Sequence, residues 1–245
     1  MKLPKPTNDG SDFTPLAAGM QVACCCGLVD LGSQYHEGGV FQGKRIAPRT
    51  TRDVKIIFEI EPGKLADGSD DPADLRSDGT RFTVSRDFPM LTSPKSNFLK
   101  FLNSWRGVPF TPADFGVFEL RTLIGARAQL TIVHKKTNDG KTYVNIDNIM
   151  PRPKGSAPRA VPVVPVWYLS MFEGEGGVSE FDNDLFETLP EWLRTKIASS
   201  KEFKEIAMGG ADDTDSTGFG DDHGYTPPAG ANAGHMASAN QPPPF

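Results

Sequence analysis

Apolar and polar side chains alternate along several segments of the first 150 residues, as they do in β-strands that bury one face. The clearest alternation lies within residues 52–61, where Val54, Ile56, Phe58 and Ile60 fall on one face and mostly charged residues on the other. The same pattern predicts further strands over residues 20–31, 80–88, 126–135 and 141–150. Asn138, Asp139 and Gly140 tolerate positive φ, so the last two strands are predicted to form a hairpin.

One helix is predicted between the third and fourth strands. Ser93 and Pro94 have the residue types of an N-cap and a first helical position, and Gly107 ends the pattern. Between them the apolar residues recur at helical spacing: Phe98, Leu99, Phe101, Leu102 and Trp105. Three strands, a helix and two strands is the order of the OB-fold, a five-stranded Greek-key barrel. The predicted class is therefore mainly β, with a generic α+β domain as the main alternative.

The chain beyond Met150 has a different composition. Five prolines lie within residues 151–166 and predict an extended linker, after which residues 167–171 are expected to dock onto the barrel. Residues 184–206 predict a pair of helices with an apolar stripe of Leu189, Trp192, Leu193 and Ile197. The predicted organisation is an OB-fold domain with an N-terminal arm over residues 1–150, a linker and small helical extension over 151–208, and a disordered acidic tail over 209–245.

Charge is distributed unevenly along the chain. Residues 1–160 contain 22 Lys and Arg against 17 Asp and Glu, whereas residues 161–245 contain 4 against 14. A basic body joined to an acidic end is typical of a body that binds a polyanion.

Three loci in the body contain cations, and two of these loci also contain aromatic rings. They contain Tyr35, Phe41, Lys44, Arg45, Arg49 and Arg52 in the first connection, Arg81, Arg86 and Lys95 at the third strand and helix entry, and Lys135, Lys136, Lys141 and Tyr143 at the hairpin. Unstacked bases stack on aromatic rings while cations follow the phosphates, so these residues are predicted to bind nucleic acid. A place in the core is the alternative for each ring. Single strands are favoured because no basic recognition helix is visible.

Other classes of site find little support. The chain has none of the sequence motifs of phosphate-binding loops, nucleophile elbows or zinc proteases, so no catalytic residue and no cofactor are expected. The aspartates between Asp212 and Asp222 lie in a glycine-rich segment, which makes a metal site improbable. The adjacent Cys24, Cys25 and Cys26 are expected to be reduced thiols. No apolar run approaches the roughly 20 residues of a membrane helix, so a cytoplasmic protein is expected.

The sequence ends in Gln-Pro-Pro-Pro-Phe, after an Asp-rich segment and a Gly/Pro/Asn spacer. In these features it resembles the single-stranded-DNA-binding proteins of bacteria and phages, which join an OB-fold to an acidic tail ending in Pro-Phe. Residues 29–34, 81–85, 102–107 and 139–143 resemble a phage or prophage OB-fold family of such proteins. The resemblance implies that Pro244 and Phe245 bind partner proteins. One departure is that the acids of the family abut the tip, whereas Asp222 lies 23 residues before Phe245.

Together these observations predict sequence-tolerant binding and protection of single-stranded DNA in phage-type replication or recombination, in the cytoplasm of a bacterial host. The expected partners are single-stranded DNA and, through the tail, replication or recombination proteins, with no membrane. The alternative is an OB-fold protein–protein adaptor that binds no nucleic acid. An enzyme such as a nuclease is a third class, and the sequence leaves the oligomeric state open.

Overall fold

The structure, a computed structural model, describes residues 15–41, 43–136, 140, 142–171 and 181–209. Its strands are β1 (Gly19–His36), β2 (Gly39–Phe41), β3 (Lys44–Ile46), β4 (Arg49–Ile60), β5 (Thr83–Pro89), β6 (Arg127–Lys136), β7 (Thr142–Pro151) and β8 (Trp167–Leu169). β2 and β3 form a separate hairpin, and the other six strands form one sheet in the order β5-β4-β1-β6-β7, with β8 parallel to β1. The predicted mainly β class is confirmed.

β1 is the central strand and pairs along both of its edges. It pairs with β4 from Ala23 to His36, and with β6 from Gly19 to Cys24. The β1–β4 register shifts twice, between Cys25 and Gly27 and again between Asp30 and Gly32, and such irregularities increase the local twist of a strand. The strand also extends five residues beyond the predicted end at position 31, so much of the predicted first connection is strand and hairpin.

The three adjacent cysteines are free and buried, because both faces of β1 are covered. Cys25 belongs to the hydrophobic core on one face of the sheet, and Cys26 to a second core on the opposite face. Burial raises the pKa of the Cys24 and Cys26 thiols to about 12. The thiols are therefore protonated at neutral pH.

The first core lies between the inner face of the sheet and α1 (Asn97–Arg106). The rings of Phe58 and Trp105 have centroids 5.0 Å apart, and the Trp105 indole donates to the carbonyl oxygen of Arg127 at 2.9 Å. The helix begins later than predicted, because it is the Ser96 hydroxyl that accepts the hydrogen bond from the Leu99 amide. Its end at Gly107 is as predicted, with φ at 78° in the left-handed region that favours glycine.

The sheet is open in the part of the chain that the structure describes, since its path ends at β5 on one side and β7 on the other. The two end strands nevertheless approach each other. The Arg86 guanidinium on β5 donates to the carbonyl oxygen of Ile146 on β7 at 3.0 Å and lies 5.1 Å over the Phe88 ring. Arg86 therefore bridges the opening between the two edges.

The C-terminal segment covers the outer face of β1 and β4. Its helices are α2 (Asn183–Thr188), α3 (Glu191–Ala198) and α4 (Lys201–Gly209), three instead of the predicted pair. Leu189, Leu193 and Ile197 are buried in the second core, as the predicted stripe requires. Trp192 is 59% exposed, which corrects its place in that stripe, and its ring lies 5.2 Å from the Lys55 ammonium nitrogen.

Candidate nucleic-acid interface

Two of the three predicted loci lie at opposite ends of β1. Tyr35 pairs with Thr50 at the C-terminal end of β1, next to the β2–β3 hairpin. Lys135 and Lys136 end β6, beyond the position where Ile132 pairs with Gly19 at the start of β1. The predicted first connection and the predicted hairpin therefore present their cations at different places on the molecule.

Both groups are accessible to a ligand. The side chain of Tyr35 is 67% exposed and that of Tyr143 is 45% exposed, so neither ring is a core residue. In the described part of the chain, exposed cations without a carboxylate partner include Lys44, Arg45, Arg49, Lys135 and Lys136. Phe41 lies in β2, but its side chain is outside the described residues, as are Lys141, Pro244 and Phe245.

Three of the predicted cations are instead tied to groups within the fold. Arg52 forms a 2.6 Å ion pair with the buried Asp30. Arg81 contacts Glu59 at 2.5 Å and Asp70 at 2.8 Å, and Arg86 makes the bridge to β7 described above. Their charges are used in holding the sheet and its loops together, which sequence alone did not reveal.

The outer face of β4 and β5 is not open to a ligand where the C-terminal segment covers it. Lys55 on β4 and Lys196 on α3 both donate to Asp87 on β5. Burial alone would raise the pKa of Asp87, but these two hydrogen bonds outweigh it and hold the pKa below its usual range. Glu59, fully buried on the same face, accepts hydrogen bonds from the amides of Val163 and Val164 at 2.8 and 2.7 Å.

Three neighbouring cavities share lining residues, the first two of them beside α1, and we call them together the α1 groove. The first, of about 280 Å³, is lined by Arg49 and Lys95; the second, of about 360 Å³, by Arg52; and the third, of about 640 Å³, by Arg121 and Tyr168. Neighbouring cavities share walls: Phe98 between the first and second, and Met90, Phe115, Phe118 and Leu120 between the second and third. The groove therefore joins three of the predicted cations, Arg49, Arg52 and Lys95, to a set of aromatic rings.

The rings come from an irregular segment that follows α1. The Asn103 side chain accepts a hydrogen bond from the Phe110 amide at 2.9 Å, which fastens the start of this segment to the helix. Asp114 accepts from the Thr111 amide at 2.6 Å and from Arg106 at 3.3 Å, and these bonds lower its pKa to about 2. The segment is thus fixed by an ionised carboxylate while the Phe115 ring remains 44% exposed.

The far end of the groove is formed by residues distant in sequence. The Arg121 guanidinium lies 5.0 Å over the ring of Tyr168, which β8 supplies from beyond the linker. Phe110, Phe115, Phe118, Arg121 and Tyr168 were not among the residues predicted from the sequence to bind nucleic acid. Three phenylalanines within nine residues, in a segment without helical or strand periodicity, were the available signal.

Within the described ranges, no group of three or more His, Cys, Asp or Glu side chains is placed to hold a metal ion. The helices of those same ranges include none with the length and apolar character needed to cross a membrane. No protein-family model matches the chain, and no curated protein matches it either.

Proposed function

We propose that this protein binds single-stranded DNA with little dependence on sequence, protecting it during phage-type replication or recombination, and that the strand follows the α1 groove. The observation that carries the proposal is the series of neighbouring cavities that share lining residues, with Arg49 and Lys95 at one end, Arg121 beside Asp30 and Glu119 at the other, and the exposed Phe115 ring between them. Cations that follow the phosphates and rings that stack on bases are the features of non-specific single-strand binders. The β2–β3 hairpin, which precedes Arg49 in the chain, adds the exposed Lys44 and Arg45.

We further propose that the fold is of the OB type, left open between β5 and β7. If the five main strands are numbered along the chain, their order in the sheet is 3-2-1-4-5, so the fourth returns beside the first as in a Greek key. The helix α1 follows the third of these strands, as in an OB-fold. OB-folds commonly bind oligonucleotides on the face of strands 2 and 3 and on two loops, one between strands 1 and 2 and the other between strands 4 and 5. Here the C-terminal helices occupy part of that face, which favours the groove and the hairpin as the path of the strand.

Partner recruitment through Pro244 and Phe245 is a separate part of the proposal and depends on the resemblance of the last residues. In the family that these residues resemble, the tip binds in a pocket of a partner protein, and we infer the same role for the Phe245 ring. The competing function is an adaptor in which the same fold binds proteins only. Binding of DNA by the groove decides between the two.

The test is a titration of fluorescent oligo-dT at several salt concentrations. Affinity should fall as salt rises, because each phosphate contact releases counterions, with a slope of about −0.7 per contact on single strands. The double variant Arg49→Glu/Lys95→Glu should lose at least tenfold in affinity at low salt and give a shallower slope. A matched control is Lys201→Glu/Lys204→Glu, which makes the same change of charge on the exposed side of α4. No binding by the unaltered protein, or equal losses in both variants, would overturn the proposal.

A further inference from the structure

The middle cavity of the α1 groove differs from its neighbours in being almost entirely apolar. Its wall combines the buried Phe98, Leu99 and Leu102 with the partly exposed Phe115, and its volume of about 360 Å³ is in the range of ligand-binding cavities, about 300–1,000 Å³. Two polar side chains, Arg52 and Thr92, also line it. An apolar pocket with a few polar groups at fixed positions binds a flat, mostly apolar ligand with a defined orientation.

Charge on both sides of this cavity indicates what kind of ligand it takes. The first cavity supplies Arg49 and Lys95, whereas the third combines Arg121 with the carboxylates of Asp30 and Glu119. A single strand that crosses the groove would place phosphates near these cations and one base above the apolar cavity between them. Arg49 and Lys95 line the first cavity without an acid, so the charge at that end favours a nucleotide chain, with its phosphates there, over an apolar peptide.

We propose that the middle cavity takes one nucleobase turned out of the stack, with its face against the Phe115 ring and its polar edge toward Arg52 and Thr92. This inference rests on the proposed function, since it names the part of the groove that receives a base. A base placed in an apolar pocket gains affinity from stacking, whereas its phosphates gain affinity from charge alone. The two contributions can therefore be measured apart.

The experiment compares oligo-dT with an abasic oligomer of equal length, which keeps the phosphates and loses the bases. The substitution Thr92→Trp fills the mouth of the cavity from an exposed position. It should weaken binding of oligo-dT roughly fivefold or more and leave binding of the abasic oligomer unchanged. Phe115→Ala, which removes an exposed ring, should have the same selective effect. Thr83→Trp, at an exposed position on β5 outside the groove, is the control and should change neither affinity.

The possible results distinguish failure of the base pocket from failure of DNA binding itself. Equal losses for both oligomers in Thr92→Trp and Phe115→Ala would show that these positions affect phosphates only, and would overturn the base pocket while leaving DNA binding intact. Affinities like those of the unaltered protein in both variants would also overturn it. Failure of the unaltered protein to bind either oligomer would overturn the proposed function itself. Thermal unfolding of each variant checks that a loss of affinity is not a loss of fold.

Discussion

The covered outer face of β4 and the open α1 groove both contain cations, but the two sets differ in whether carboxylates lie beside them. On the covered face Lys55 and Lys196 share Asp87, and Arg81 meets the buried Glu59 at 2.5 Å. Along the groove Arg49 and Lys95 have no carboxylate partner among the described residues. A buried charge must be paired because its desolvation is costly, whereas an exposed cation stays hydrated and remains available to a ligand. The presence or absence of a partner, more than the number of cations, therefore separates structural positions from candidate binding positions.

Breaking the covered face should have the largest effect on stability. Glu59→Ala removes a fully buried carboxylate that accepts hydrogen bonds from Arg81 and from the backbone amides of Val163 and Val164. The expected loss in the free energy of unfolding is about 3–5 kcal/mol, measured by urea denaturation. Glu205→Ala, in an exposed pair with Lys201, is the control and should cost less than about 1 kcal/mol. Similar losses in the two variants would mean that the buried carboxylate does not fasten the C-terminal segment.

The contact between β1 and the C-terminal helices can be tested at a single glycine. A Cβ atom at Gly32, where φ is +66°, would lie 2.4 Å from the Cβ of Ser200 at the junction of α3 and α4. Gly32→Ala should therefore cost about 1–2 kcal/mol for the backbone conformation and a further 1–3 kcal/mol for overpacking. Gly155→Ala is matched in backbone, with φ at +85°, but meets nothing within 4 Å and should show the first cost alone.

The reactivity of the Cys26 thiol reports locally on the effect of Gly32→Ala. Its thiol lies in the core that the C-terminal helices cover, so displacing α3 and α4 should speed its reaction with a thiol reagent. Equal denaturation curves and equal labelling rates for Gly32→Ala and Gly155→Ala would contradict a tight contact at this position.

The hydrophobic pattern predicted the strands of the fold better than the surfaces around them. Val54, Ile56, Phe58 and Ile60 all lie in the first core, as their alternation required. The residues between them were assigned to the opposite, mostly charged face, and there Lys55, Ile57 and Glu59 are buried as well. Alternation shows which face is more apolar, but cannot show that a segment more than 100 residues away covers the other face. A charged residue on a strand looks the same in sequence whether it is solvated or paired.

The candidate site was predictable only in part, for a related reason. Arg49 and Lys95 could be selected as cations near aromatic residues, and the structure brings them to one cavity. Tyr168 could not be selected, because its place beside Arg121 depends on β8 returning to pair with β1. The irregular segment that carries Phe115 has no periodicity, so its fixed shape depends on hydrogen bonds such as that from the Thr111 amide to Asp114.

Two exposed tyrosines test which end of β1 belongs to the interface. Tyr35 pairs with Thr50, the neighbour of Arg49, so Tyr35→Ala should weaken oligo-dT binding by about 1–3 kcal/mol if the strand passes this end of β1. Tyr143→Ala, at the other end, should weaken it less, and neither variant should change the thermal unfolding by more than about 0.5 kcal/mol since both rings are exposed. A larger loss for Tyr143 would move the interface to the β6–β7 hairpin and away from the groove.

The smallest expected effect concerns the acidic end of the chain and the cations that lack partners in the groove. Residues 209–245 contain five aspartates and no Lys or Arg, so they should compete weakly with phosphate for those cations. Deleting them should raise oligo-dT affinity a few-fold at low salt, and the gain should fade as the Debye length shortens to about 10 Å at 0.1 M. A full-length variant with the five aspartates changed to asparagine separates charge from length and should behave like the deletion. Removing Phe245 alone should leave DNA affinity unchanged and abolish capture of replication partners. Salt-dependence curves that superimpose for the full-length, deleted and asparagine forms would show that these aspartates do not reach the groove.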